Sequence, residues 1–246
     1  MTKVGFLAYR KTDVERRRIY MNIAAVAAEQ RRYIQRVFSW MFVGLLMTAV
    51  VAYLLSRNEN VLTYFSAHPY VFFGILIAEL VMVFYLSARI HKLSITSATL
   101  LFFIYAALNG ITFSLLFALY TSSSIVLTFL ITAGMFGTLA VYGYVTKRDL
   151  SRMGSILFMA LIGLILATLV NFFLHSSTLY WITTYAGVIV FSGLTAYDIQ
   201  KIKEANTIGN EGTGEETKEA IIGALILYLD FINLFLYLLR IFGNRD

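Results

Sequence analysis

Apolar residues run along this chain in long blocks rather than in the three-and-four spacing of a helix with one wet face. A helix needs about 20 apolar residues to cross a bilayer. Seven stretches come close to that length: 38–55, 70–90, 95–119, 124–145, 154–174, 179–200 and 219–242. The links between them are short, which predicts an antiparallel bundle of sequence neighbours. The longest polar piece is 1–37. The pattern therefore predicts an all-α integral membrane protein of two parts. These are a basic N-terminal segment, 1–37, and a single seven-helix transmembrane domain, 38–246.

Composition removes the water-soluble alternative. The 246 residues are 59% hydrophobic and 14% charged, against about 25% charged in soluble domains, and mean hydropathy is +0.74. The chain has no cysteine, which excludes disulfides, thiol chemistry and cysteine-ligated metals. Its one proline, Pro69, lies outside the apolar blocks, so proline-kinked helices are not expected. The first twenty residues hold six Lys/Arg and no apolar run of signal-peptide length, so no cleaved signal is expected.

The basic residues set an orientation. Nine fall in 1–37. Arg89 and Lys92 follow the second block, Lys147, Arg148 and Arg152 the fourth, and Lys201, Lys203 and Lys218 the sixth. Seventeen of the 20 thus share one side; only Arg57, Arg240 and Arg245 fall on the other. Basic loops stay inside, so the N-terminus is expected in the cytoplasm and the C-terminus outside. The net charge of +6 is then a topology signal and not a nucleic-acid site. Residues 13–37 mix Arg with Ala, Ile and Tyr. They suit a helix lying on anionic lipid or a solvated helix leading into the first span.

Small residues predict close helix contacts. Ala106, Gly110, Ser114 and Ala118 form one four-residue stripe, and Ala133/Gly137 and Ser192/Ala196 form shorter ones. Within the apolar blocks, leaving aside Glu219 and Arg240 at the ends of the last one, the charged residues are Glu79, Arg89, Asp198 and Asp230. A charge at mid-membrane costs about 2.5–3.5 kcal/mol on insertion scales, and such residues usually face the bundle interior on an ion or proton path. Arg89 and Asp198 each lie 19 residues from the outer start of their block, about 28 Å in. An ion pair between them is permitted, as is snorkelling of each to water. Glu79 lies near mid-membrane, and so does Asp230, 12 residues from Lys218 and 12 from Phe242. Asn233, three residues after Asp230, shares its face.

The stretch TAGMFGTLAVYGYVTKRDLSRMGSILFMALIGLI, 132–165, resembles the Bax inhibitor-1 (transmembrane Bax inhibitor motif) family in its bacterial form. NGITFS at 109–114, GLTAYDIQKIK at 193–203 and ALILYLDFINLFLYLLRIFG at 224–243 agree with it. The resemblance implies a fold with the last helix central and the other six around it. It implies that Asp198 and Asp230 share a proton, that Arg89 pairs with Asp198 as a latch, and that Glu79 sits in the pore. It also implies a pH-sensitive calcium leak channel of the inner membrane, with no cofactor beyond the transported ion. The alternative it implies is an interaction protein that regulates a membrane protease or a stress or cell-death pathway.

Two carboxylates within hydrogen-bond reach cannot easily both ionise, so the pair titrates as a unit. Gain or loss of the shared proton would hold or release helices six and seven. Ionised, Asp198 and Asp230 would also attract Ca²⁺ transiently, since it prefers oxygen ligands. For the two to meet, straight-helix counting asks helix seven to begin near Gly223, with 204–222 as a funnel. An enzyme is not expected. Tyr197-Asp198 matches the YD pair of intramembrane aspartyl proteases, but Asp230 sits in LYLDF and not in GxGD. A proton-coupled transporter would show repeats or broken helices, and neither is visible. The link GNEGTGEETKE, 209–219, fails the EF-hand spacing and reads as a flexible acidic loop. His68, His91 and His175 fall at segment ends on opposite faces and build no metal site.

Overall fold

The computed structural model describes residues 3–206 and 209–244, with side chains from residue 24 onward except at 59, 62 and 66. The long helices are α1 (Lys3–Ser56), α3 (Pro69–Arg89), α4 (Ile95–Ser114), α6 (Ser122–Val145), α7 (Ser151–Leu174), α8 (Ser177–Ala205) and α9 (Gly214–Phe242). Two short ones, α2 (Glu59–Ala67) and α5 (Leu116–Leu119), and one 3-10 turn at Ile90–Lys92 complete the order. Among the described residues seven helices are long and apolar enough to cross a membrane, as the apolar blocks predict. Their starts are chemically marked. Ser94, Thr121, Ser176 and Thr213 each cap a helix by accepting a backbone N–H, and Pro69 occupies the first turn of α3.

Helix α1 passes through residue 37 without a break, and Tyr33, Ile34 and Val37 are buried in the main core. The lipid-surface reading of 13–37 rests partly on 13–23, whose side chains lie outside the described residues, as does Arg245.

Burial ranks the helices. Two thirds (67%) of the apolar window of α9 is buried, against 6% for α3 and for α7. The core gathers around Leu225, Leu227, Tyr228 and Leu234 of α9, all at most 1% exposed. Its principal neighbours are α1, α4, α6 and α8, while α3 leans chiefly on α4 and α7 on α8. Four helices rather than six thus form the main packing shell of α9. The outer helices turn large apolar residues such as Phe84, Phe158 and Phe173 outward, the arrangement lipid tails accept.

Two glycines let neighbouring helices come close. A Cβ at Gly110 would stand 2.6 Å from Val51 of α1, and one at Gly143 would stand 2.2 Å from the Ala196 carbonyl oxygen of α8. The α4 stripe is buried at Ala106, Gly110 and Ser114. Ala133 and Gly137 are exposed instead, and nothing lies within 4 Å of a Cβ at Gly137.

The ends are tied by polar contacts. At one end, here the basic end, the Lys203 ammonium donates to the Tyr144 carbonyl at 2.9 Å. Gln200 bridges the 148–150 link, accepting from the Leu150 N–H and donating to the Arg148 carbonyl, both at 2.9 Å. At the other end Thr121 N–H donates to the Asn244 carbonyl at 3.1 Å. Helix α9 runs unbroken between the two.

The 209–219 stretch is not a free loop. Its second half is the first turns of α9, and two of its acids, Glu211 and Glu216, are clasped by α1. Arg32 pairs with Glu211 through both Nε and Nη2. Arg36 Nη1 meets Glu216 Oε2 at 2.6 Å, and the Gly212 N–H donates to the same oxygen at 2.5 Å. The hydrogen-bonded Arg32 guanidinium holds the Glu211 carboxyl below the usual carboxylate range. That contact is therefore complete at neutral pH and is lost as pH falls through the lowered value. Glu216 is only 1% exposed. Arg36→Ala would strand a buried carboxylate, and we expect a loss of about 2–3 kcal/mol. Thermal unfolding in detergent would show it as a lower midpoint; Arg36→Lys should recover part of the loss.

Candidate functional site

Asp198 and Asp230 come together. Their register is set where the Gly223 backbone of α9 meets Ile202 of α8; a Cβ there would stand 3.2 Å from Ile202 Cγ2. Four residues back along α8 and four forward along α9 bring Asp198 level with Leu227, one turn from Asp230 in antiparallel helices. The two carboxyl groups are within hydrogen-bonding contact. No re-entrant funnel is needed. Helix α9 starts at Gly214 and overhangs the end of α8, so its first turns lie beyond the point where counting from Lys218 places them.

Asp230 is 5% exposed, and its Oδ2 has no hydrogen-bond partner among the described residues. It closes the inner side of a cavity of about 1040 Å³ between α7, α8 and α9. The walls are mostly apolar, including Phe158, Leu161, Phe191 and Leu194, while Asp198, Lys201 and Asn233 bring polarity. Asn233 spends its Nδ2 on the Leu229 carbonyl at 2.8 Å, leaving its oxygen free to face the cavity. A mostly apolar crevice whose lining includes two touching carboxyls can bind a proton or draw a cation inward.

Arg89 does not join this pair. It is exposed and makes no ion pair among the described residues. The cation that acts on Asp198 is Lys201, three residues on along the same helix. Depth counting fixes how far in a residue lies but not which neighbour its helix faces. The basic end of α3 is nonetheless close, since Ile90 and His91 line a smaller cavity together with Asp198. Glu79 lies in a different network. It accepts from the Thr112 hydroxyl at 2.5 Å, on the α3–α4 side of the bundle. Nearby, the Tyr228 and Thr48 hydroxyls meet at 2.7 Å, and Thr48 also donates to the Ala106 carbonyl at 2.8 Å. Tyr228 and Asp230 thus face opposite sides of α9, each with its own polar cluster.

Sequence reasoning missed Lys201, Glu216 and Tyr228. Lys201 is four residues from Tyr197, and its ammonium stacks on that ring at 5.6 Å from the centroid; the YxxxK spacing on one helix face is the readable signal. Glu216 carries the capping signature Thr213-x-x-Glu216, and Tyr228 carries none.

Among the described residues no group of three or more His, Cys, Asp or Glu is placed to hold a metal ion. His91 faces Glu215 at 3.7 Å. Two carboxylates suit a cation in transit, with water completing its shell, better than a resident ion.

A family model described as "Inhibitor of apoptosis-promoting Bax1" matches residues 30–246. The "Inner membrane protein YbhL" of Escherichia coli K12 is 52% identical over 225 residues, covering 91% of this chain and 96% of that protein. An uncharacterized protein of Borreliella burgdorferi is 43% identical over 216 residues, 88% of this chain and 93% of its own. An uncharacterized membrane protein of Streptococcus pyogenes is 37% identical over 217 residues, with 87% and 93% covered. The match begins at residue 30 and takes in the buried Tyr33, Ile34 and Val37, so the family signal extends into the helix ahead of the first apolar block. The chain belongs to the Bax inhibitor-1 family of integral membrane proteins.

Proposed function

We propose that this protein is a pH-sensitive calcium leak channel of the inner membrane, gated by a proton shared between Asp198 and Asp230. The observation that carries the reading is the contact of these two carboxyls at the floor of the α7–α8–α9 cavity, with Asp230 Oδ2 unpartnered. Two touching carboxylates in a low-dielectric bundle hold one proton between them far more readily than none. That proton pins α8 to α9. Its loss sets two like charges against each other at the point where the helices meet, and the helices part. Asp198 then takes a cationic partner, with Lys201 on its own helix and Arg89 at the end of α3 as the candidates. Glu79, held by Thr112 in its own polar cluster on the other side of α9, does not line this cavity.

The experiment is calcium uptake by proteoliposomes at several pH values. Uptake that needs the protein and changes steeply with pH supports the reading; no uptake at any pH removes it. A second reading, a membrane-embedded regulator of a protease or of a stress or death pathway, is favoured by the words of the matched family's description. It would place function on partner-facing surfaces. Deleting residues 1–30 would then abolish function in cells while Asp230→Asn would not.

The orientation is part of the proposal: the basic end faces the cytoplasm and the end of α9 lies outside. A C-terminal reporter active only outside the cytoplasm should give signal. Signal from a cytoplasm-only reporter at the same position would reverse the assignment.

A further inference from the structure

A second cavity, of about 170 Å³, lies at the basic end between α1, the Ile90–Lys92 turn, α8 and α9. It is large enough for about five waters at ~30 Å³ each, and its polar lining is Tyr33, His91, Asp198, Lys201 and Glu219. Most charges around it are already engaged. Glu215 is held by Lys218 at 2.9 Å and faces His91 at 3.7 Å, and Glu216 is held by Arg36. Glu219 is different: its Oε2 is buried without a hydrogen-bond partner among the described residues. A carboxylate oxygen in that position calls for water as its partner, and the cavity has room for it.

Three residues line both this cavity and the larger one: Asp198, Lys201 and Ile226. They form the partition between them. Of the three, Lys201 alone carries positive charge, and its ammonium rests on the Tyr197 ring, which can hold it aside.

We propose that the aspartate pair is reached from the basic end through this hydrated vestibule, and that Lys201 is the charge barrier at its throat. Small cations entering past Glu219 meet Lys201 before they meet Asp198. This deepens the proposed channel function and rests on it for the identity of the ion, but the vestibule and its throat stand on the geometry alone.

The chain has no cysteine, so a single introduced thiol reports local access. Ile226→Cys places it at the throat. Sealed vesicles of either orientation are treated with membrane-impermeant thiosulfonate reagents of similar size, one cationic and one anionic. We expect labelling from the basic-end face only. Removing one charge about a helix turn away acts oppositely on the two reagents. Lys201→Gln should therefore raise the cation-to-anion rate ratio roughly tenfold even with water-like screening. Lys201→Arg should leave the ratio unchanged, and Glu219→Gln should lower it. Should Ile226→Cys fail to insert, Ile222→Cys lies in the same vestibule and carries the measurement. Labelling from the opposite face, no labelling at either position, or an unchanged ratio in Lys201→Gln overturns the proposal. The readout does not need ion flux. Labelling as expected with no calcium uptake would remove the channel reading and leave the vestibule; uptake without labelling would remove the vestibule alone.

Discussion

Asp230→Asn should abolish the steep pH dependence of calcium leak while the protein remains folded and inserted. The substitution keeps size and hydrogen-bonding capacity and removes one titrating group. Asp198 then has no like-charged neighbour, and the asparagine amide can donate to it at every pH. The contact between α8 and α9 no longer depends on a proton. Loss of flux by itself would be ambiguous, because a blocked path gives the same result, so the flux-against-pH curve decides. A variant curve that overlays that of the unsubstituted protein would make the pair structural and shift the weight to the interaction reading.

Gly143→Val should be the most damaging single change in the bundle. Its Cβ would stand 2.2 Å from the Ala196 carbonyl oxygen, a backbone atom that cannot swing aside. Helix α6 would be driven off α8 two residues from Asp198. We expect a loss of about 3 kcal/mol, the upper part of the usual overpacking range, seen as a lower unfolding midpoint or failure to accumulate in the membrane. Gly137→Val, on the same helix with nothing within 4 Å of its Cβ, should be close to neutral. Equal tolerance of both would mean that α6 and α8 do not meet where the structure puts them.

These two glycines show what a single sequence conveys and what it withholds. Both sit in apolar block 124–145 and look alike as letters; only the neighbouring helix separates them. The spans themselves were legible, because bilayer thickness fixes the length of an apolar block. So were Asp198 and Asp230, because a carboxylate at that depth is costly enough to need a reason. Their contact was implied by the family resemblance, whereas straight-helix counting set them at different depths. The discrepancy came from taking Lys218 as the membrane edge. In the structure Lys218 is buried among the first turns of α9, held by Glu215.

The cation beside Asp198 in the structure is Lys201, on its own helix. Arg89 and Asp198 share a depth, but pairing also needs helix rotation and adjacency, and α3 packs mainly on α4. Lys201 shares a helix with Asp198 and needs neither. The acidic 209–219 stretch reads as solvated from composition alone. Its clasp depends on Arg32 and Arg36, some 180 residues away in the chain, a distance over which no local pattern carries information.

The shared proton itself is the claim on which the channel reading stands, and infrared difference spectroscopy of the reconstituted protein addresses it most directly. A protonated carboxyl in a dry environment gives a C=O band distinct from that of a carboxylate. The account predicts such a band in the unsubstituted protein, disappearing over the same pH range in which calcium flux changes, and absent or altered in Asp230→Asn. A band that is identical in the two proteins, or that does not change with pH while flux does, would contradict it.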